Sequence, residues 1–206
     1  MGHQTSDIRY WGAFTYILAL ALCGSSEVVA QSGPDSVDIQ IEHALLAIPE
    51  EMRDSAAVLG YSPDGELVTL REGTNEMVCL ADKPGDDRYS GACYHESLEP
   101  FMARGRELRA EGVEGKDVLA RRHEEMDAGT LALPKNGAVL YNMSMKLEAF
   151  DPATASPTLY SLYTPYATVE STGLPEKPAA PGGPWIMRSG TPTAHIMIIV
   201  PRQSEY

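Results

Sequence analysis

Apolar residues recur at helical spacing in the segment that follows residue 35. They are Val37, Ile41, Ala44, Leu45 and Ile48. This spacing places them on one face of an amphipathic helix, with Asp35 or Ser36 as its N-cap. Pro49 ends the pattern. Because proline is tolerated in a first turn, residues 49–53 predict a second short helix with acidic residues at its start.

Between residues 56 and 95 the period of the apolar pattern changes to two, which is typical of strands. The predicted strands cover residues 56–61, 66–71, 76–80 and 92–95. The tetrapeptide Ser-Pro-Asp-Gly between the first two has the turn chemistry of a hairpin. This part of the chain therefore predicts a small antiparallel sheet.

The middle of the chain predicts a pair of helices. Ser97 is placed to cap the first, Gly112 is placed to end it, and residues 116–128 form the second. Within the second helix the run at 121–125, Arg-Arg-His-Glu-Glu, is interpreted as a solvated face with charge pairs.

The last third has a different composition, because nine of the fifteen prolines follow residue 150. It predicts strands at 138–145, 158–163 and 195–200, and an extended, polyproline-like loop over 173–184. Together the elements predict one α+β domain with an N-terminal helix, a small antiparallel sheet, a central helical pair, and C-terminal strands with Pro-rich loops.

The beginning of the chain predicts export. Residues 12–23 form an apolar run of twelve, which is too short for a stable membrane span but suits a signal peptide. Val-Val-Ala at 28–30 offers small residues to a signal peptidase, so residues 1–30 are predicted to be removed and 31–206 to form the domain. Lipoprotein processing at Cys23 is the alternative.

The net charge of the chain limits which classes of binding partner are expected. The chain has 16 Lys and Arg against 29 Asp and Glu, a formal net charge of −13. Because binding to nucleic acid needs a cationic surface, nucleic acid is not expected as a partner. After cleavage of the signal peptide no stable membrane span is expected either, which leaves an unidentified small molecule or protein.

The cysteines predict a disulfide. Cleavage would remove Cys23 and leave Cys79 and Cys93, an even pair in an exported chain. A metal site on these two cysteines is disfavoured, because they lack the short C-x-x-C spacing of zinc knuckles. Closing this loop would contribute about 3 kcal/mol of stability in the chain-entropy model.

Three segments together carry a family resemblance: Leu70-Arg-Glu-Gly-Thr-Asn75 with Cys79, the second Cys93, and Gly190-Thr-Pro-Thr-Ala-His-Ile-Met197. With these segments the chain resembles, over about residues 45–200, a group of exported bacterial proteins. The resemblance implies a secreted or periplasmic location and a paired Cys79 and Cys93, and it implies no chemistry. The chain has Tyr-His after its second cysteine where an acidic residue is more usual, so the family gives no binding role to His95.

Motifs of common enzymes are missing from the sequence. It contains no G-x-S-x-G elbow, no phosphate-binding P-loop, no G-x-G-x-x-G and no C-x-x-C-H haem attachment sequence. No pair of histidines has the H-x-x-x-H or H-x-H spacing of a metal site. The sequence therefore predicts no cofactor and no metal.

His195 is the leading candidate for a site residue, because it stands where a loop meets the apolar run Ile-Met-Ile-Ile-Val. It either acts in a site or clamps the preceding turn by bonding a loop carbonyl, and the clamp is the favoured interpretation. His95, Tyr166 and Trp185 are the other binding candidates. The aromatic residues of the last third form either a sheet face covered by a loop or an acid-rimmed cleft that would deter anions.

Two classes of function remain open. The favoured class is a non-catalytic binding or accessory protein of the periplasm or cell exterior, since no specific catalytic motif is present. The alternative is a hydrolase or a metal-dependent enzyme that uses His195 with His95 or His123.

Overall fold

The computed structural model describes residues 33–134 and 136–201. These residues belong to one compact unit. The predicted signal peptide, its processing site after Ala30 and the alternative site at Cys23 lie outside the described residues and stay predictions.

Four of the five helices in the described ranges were predicted, and the last was not. They are α1 (Val37–Leu45), α2 (Glu50–Arg53), α3 (Glu99–Ala110), α4 (Lys116–Asp127) and α5 (Val169–Thr172). Two 3-10 turns, Glu96–Leu98 and Leu147–Ala149, accompany them. Gly112 and Gly129 adopt φ values of 86° and 73° just beyond α3 and α4, so each helix ends where glycine allows the left-handed conformation.

Eight strands form a single sheet within the part of the chain that the structure describes. They are β1 (Ala57–Tyr61), β2 (Leu67–Arg71), β3 (Met77–Leu80), β4 (Arg88–His95), β5 (Ala138–Lys146), β6 (Leu159–Tyr163), β7 (Trp185–Met187) and β8 (His195–Ile199). Their order across the sheet is β2-β1-β3-β4-β5-β6-β8-β7. Neighbouring strands run antiparallel, except that β1 and β3 are parallel.

The sheet has a helix-covered core on each face, because alternate strand residues point to opposite sides. Helix α1 packs on the front face, against buried residues that include Val58, Met77, Cys79, Cys93 and Met143. On the back face, Leu98 of the 3-10 turn packs with Tyr94 and Ala138, and Met102 of α3 lies against them. In β3 the alternation is direct, since Met77 and Cys79 belong to the front core while Val78 and Leu80 line the back core.

The predicted disulfide is present. Cys79 of β3 and Cys93 of β4 are directly opposite one another in the sheet and are bonded. Both are fully buried in the front core. The covalent link therefore ties β3 to β4 beneath α1.

The α+β architecture is confirmed, although the sheet is larger than expected. The segments predicted separately as a small sheet and as C-terminal strands join into one sheet through the β4–β5 pair. Strand β7 and helix α5 were not expected, because elements of three and four residues are too short to show a period. No helix within 33–134 and 136–201 is long and apolar enough to cross a membrane.

Candidate functional site

Polar side chains gather at one end of the sheet, on its back face. Strands β4 and β6 end there, and β5 and β8 begin there. Helix α4 and the loop 188–194 between β7 and β8 close this end. We call it the cationic end and define it by Arg122, His123, Tyr163, Arg188 and His195.

His195 begins β8 and is 8% exposed. Its Nδ1 lies 2.8 Å from the carbonyl oxygen of Thr193, so Nδ1 is the donor and Nε2 carries the lone pair. The centre of its ring lies 5.1 Å from the centre of the Tyr163 ring. Burial lowers the pKa of His195, and the Arg188 charge lowers it further, so the ring is neutral at neutral pH.

His123 reaches the same threonine from α4. Its Nε2 lies 2.7 Å from the hydroxyl of Thr193, a residue that is fully buried. Burial lowers the pKa of His123, and Arg188 again acts in the same direction. The structure therefore brings His123 and His195 together around one loop residue.

Arg122 lies against α3 rather than in solvent. Its guanidinium carbon is 3.8 Å from the centre of the Phe101 ring, and its Nη1 donates to the Phe101 carbonyl oxygen over 3.1 Å. Its Nε is buried and finds no hydrogen-bond partner among the described residues. Burial lowers the pKa of Arg122 to about 10, and the charges of Arg109 and Arg188 add to this effect.

Gly105 of α3 makes room for that guanidinium. A Cβ at Gly105 would lie 3.0 Å from Arg122 Nη1 and 3.4 Å from Arg109 Nη1. The absent side chain thus lets two arginines approach the same point on α3. The interpretation of residues 121–125 as a solvated face is wrong for Arg122 and His123; it holds for the exposed pair of Arg121 and Glu124, 3.3 Å apart.

Two neighbouring turns at this end hold strained backbone. Among the described residues, Tyr166 and Arg188 are the non-glycine residues with positive φ, at 62° and 58°. The turns are bonded to each other, since Tyr166 N donates to Thr191 O over 2.9 Å and Gly190 N donates to Ala167 O over 2.8 Å. Strain of this kind often accompanies functional sites. The predicted candidate Tyr166 belongs to this pair of turns, and its side chain is 62% exposed.

The other two candidates lie apart from the histidine pair. His95 ends β4, where its Nδ1 accepts from Ser97 N and lies 2.7 Å from the Ser97 hydroxyl. It therefore caps the 3-10 turn. Ser97, predicted to cap the first central helix, lies within this turn instead, and α3 begins after Leu98 without a side-chain cap. Because His95 is paired with Met77 of the front core and His195 is paired with Tyr163 of the back face, the two histidines are on opposite faces. Trp185 begins β7 and is paired with Met197, which follows His195 by two residues along β8.

Composition alone suggested an acid-rimmed cleft, and the described geometry differs. Arginines and histidines line the cationic end. A shallow hollow of about 590 Å³ lies elsewhere, at the α3–α4 turn, and is lined by Gly112, Val113, Glu114, Asp117, Ala120, Arg121 and Glu124. It contains none of the predicted site residues. Over residues 33–134 and 136–201, no group of three or more His, Cys, Asp or Glu side chains is arranged to hold a metal ion.

Comparisons of the chain with protein-family models, curated proteins and solved structures find no match. The resemblance to a group of exported bacterial proteins therefore stays a prediction.

Proposed function

We propose that this chain is an exported, non-catalytic binding protein of the periplasm or cell exterior, and that its ligand binds at the cationic end. The predicted signal peptide supports export. The Cys79–Cys93 disulfide is compatible with it, because disulfides persist in oxidising compartments.

The observation that carries the proposal is the unpaired charge of Arg122. Three other arginines of the two central helices are matched by carboxylates: Arg104 bonds Glu125, Glu107 and Glu111, Arg106 bonds Glu99, and Arg121 bonds Glu124. Arg109, like Arg122, bonds only a backbone carbonyl oxygen among the described residues, that of Gly105. Among the described residues, Arg122 has only a carbonyl oxygen and an aromatic ring as partners. A partly buried charge without a counter-ion costs stability, and such a cost is often retained where a group serves a ligand.

The geometry favours binding over hydrolysis. The hydroxyl that His123 contacts belongs to Thr193, which is fully buried, so this hydroxyl does not face a substrate. The Nδ1 of His195 is engaged by a carbonyl oxygen of the same residue. A histidine acting as a general base needs an accessible proton donor within hydrogen-bond reach. His123 contacts only the buried Thr193 hydroxyl, and among the described residues no hydroxyl or thiol is hydrogen-bonded to the free Nε2 of His195.

The test is ligand mapping by NMR on the purified protein with its cystine intact. Benzoate, phenyl phosphate, benzamide and benzylamine serve as probes of equal ring size and different charge. We expect at least one probe to shift the amide signals of residues 163–167 and 188–195 in a saturable way. The exposed variant Arg121→Gln should leave these shifts unchanged.

Two results would contradict the proposal. In the first, no probe perturbs the cationic end. In the second, the protein hydrolyses p-nitrophenyl acetate and His123→Gln abolishes that turnover while the fold persists, which would favour the hydrolase alternative.

A further inference from the structure

We propose that the front face of β5, β6 and β8 docks an amphipathic helix of a partner protein, one whose apolar stripe is bordered by lysine or arginine. This surface goes beyond the proposed ligand site, because it lies on the opposite face of the sheet from the cationic end. The inference follows from the part of the front face that α1 covers and from the charges beside the remaining part.

Apolar side chains form two rows across the front of these three strands. Tyr141 packs against the front core, and cross-strand partners share a face of the sheet. The rings of Tyr141 and Tyr160 meet edge-on, with 5.1 Å between their centres. We call this surface the open patch. Its six residues are Val139, Leu162 and Ile196 in one row, and Tyr141, Tyr160 and Ile198 in the other.

Helix α1 covers a different part of the front face. It packs on β1, β2, β3 and β4. Met143, the next front-facing residue of β5 after Tyr141, is fully buried, whereas Leu162 and Ile198 are each 39% exposed. A single exposed apolar residue is ordinary, but exposed apolar residues that share one face of neighbouring strands point to an interaction surface.

The width of the open patch matches one helix. Strand β6 lies between β5 and β8, and adjacent strands are about 4.8 Å apart, so β5 and β8 are about 10 Å apart. An α-helix with its side chains is about 10 Å wide. A partner helix on these strands would therefore continue the layer that α1 forms on β1, β3 and β4.

The charges beside the open patch indicate a basic partner. In the described strands β5 to β8, no Lys or Arg occupies a front-facing position. Burial raises the pKa of Tyr141, and Glu51 of α2 lies close enough for its charge to raise it further. Glu50 and Glu51 are exposed and form no ion pair within the described chain. Basic residues beside the apolar stripe of the partner would complement these carboxylates.

A second copy of this chain fits the open patch less well. Two copies would bring together chains that each have a net charge of −13, and each copy would place Glu51 beside the contact. Like charges that face one another oppose association. The charge pattern therefore favours a helix from a different protein.

The experiment titrates three synthetic peptides into the purified protein with its cystine intact. Each peptide has about 18 residues, enough to form a helix. The first has a leucine stripe bordered by lysines, the second has glutamate at each lysine position, and the third has the composition of the first in scrambled order. We expect the first to bind in a saturable way and to shift the amide signals of β5, β6 and β8. The other two should bind at least tenfold more weakly by calorimetry.

Matched variants test the face of the sheet. Leu162→Thr combined with Ile198→Thr removes two exposed apolar side chains and keeps a residue suited to strands, so it should weaken binding of the lysine peptide at least tenfold. Ile199→Thr is the control, because Ile199 is 42% exposed and follows Ile198 but lies on the back face; it should leave the affinity unchanged. Glu51→Gln should weaken binding about threefold, the scale of a partly screened charge.

Each outcome decides the inference. Equal binding of the glutamate peptide or the scrambled peptide would overturn the basic amphipathic helix. Unchanged affinity in the double variant, or an equal loss in Ile199→Thr, would overturn the open patch as the site. A dimer in sedimentation that the double variant abolishes would assign the surface to a second copy instead.

Two further results do not depend on the folding of the variants. If no peptide shifts β5, β6 and β8 of the unmodified protein, the inference fails. If a peptide shifts only residues of the cationic end, the inference also fails, while the proposed binding function stands.

Discussion

The two ends of the sheet hold partly buried groups of opposite charge, Asp82 at one and Arg122 at the other. At the end opposite the cationic end, β3 finishes beside the start of β4, and Asp82 accepts from Ser90 N over 2.7 Å. The charges of Asp35 and Asp86 act on Asp82 there. We call this the acidic end. Three buried polar atoms lack a partner among the described residues: the Tyr89 hydroxyl at the acidic end, and Arg122 Nε and the Thr164 hydroxyl at the cationic end.

The missing hydrogen bonds of the Tyr89 hydroxyl and of Arg122 Nε have different causes. The Tyr89 ring is 3% exposed and stacks on Phe150 with 3.6 Å between ring centres, and His43 packs edge-on against both rings. Burial raises the pKa of Tyr89, so its hydroxyl stays neutral and its lost hydrogen bond is a cost of tight aromatic packing. The Arg122 group is charged and lies at an edge of the fold. Only there does the missing partner indicate a ligand.

The largest effect is expected from removing the disulfide, which lies in the front core. Cys79→Ala combined with Cys93→Ala should lower the free energy of unfolding by about 3 kcal/mol, because the bond closes a loop with a sequence separation of 14. Urea denaturation measures the loss, and hydrogen exchange should show it in α1, β3 and β4. If benzoate affinity falls together with stability, the front core and the cationic end are coupled, and the cationic end can no longer be compared as an independent region.

A smaller effect is expected at His195. His195→Gln should lower stability by about 1 kcal/mol, since it weakens one buried hydrogen bond to the carbonyl oxygen of Thr193. Thermal unfolding and elemental analysis of both proteins are the measurements. A variant of unchanged stability that loses a stoichiometric metal would contradict the clamp role and favour the metal-enzyme alternative.

The ends should also respond oppositely to acid. Burial raises the pKa of Asp82 from 3.8 to about 6, so its ionised form destabilises the fold above pH 6 and the penalty fades as the pH falls toward 3.8. Burial lowers the pKa of His195 below 6.5, so stability is lost as the pH falls below 6.5, where the unfolded chain gains the proton first.

Single variants separate these two contributions. Asp82→Asn should raise stability at pH 7, on the order of 1 kcal/mol for a half-buried and partly screened group, and have little effect at pH 4. His195→Gln should remove part of the acid-induced loss. Urea midpoints measured between pH 4 and pH 8 check both, and parallel pH profiles for the two variants would refute the opposition.

The smallest effect is expected at Tyr89. Tyr89→Phe removes a hydroxyl that has no partner in the described chain and keeps the stacked ring, so stability should stay the same or rise by about 0.5 kcal/mol. Benzoate affinity should not change. A clear loss of stability, measured by urea denaturation, would mean that this hydroxyl has a partner and that the two ends are more alike than described.

The local hydrophobic pattern was sufficient to predict most of the helices and strands, but it did not predict how the strands pair in the sheet. The period-two segments and the glycine and proline stops predicted β1, β2, β3 and both central helices close to their observed bounds. The parallel pairing of β1 with β3 depends on contacts between segments distant along the chain, which periodicity does not encode.

In the candidate site, the sequence likewise does not distinguish the roles of two neighbouring residues. Arg121 and Arg122 are adjacent, so their side chains point about 100° apart around α4. The sequence does not say which of them meets α3, because that depends on the packing of Phe101 and on the space at Gly105. The sequence identified His195 as a candidate because it stands between a loop and a strand. It did not identify Thr193 or Arg188, because their positions depend on how the loop folds.

The edge strand β7 influences whether the sheet can aggregate with other chains. Edge strands invite pairing with other chains through their free N–H groups. In β7, which is three residues long, the N–H of Ile186 donates to the carbonyl oxygen of Pro175 over 2.9 Å, so the Pro-rich loop before the strand occupies this group. Pro184 stands immediately before β7 and has no N–H to offer. The loop therefore protects this border of the sheet against the intermolecular strand pairing that leads to fibrils.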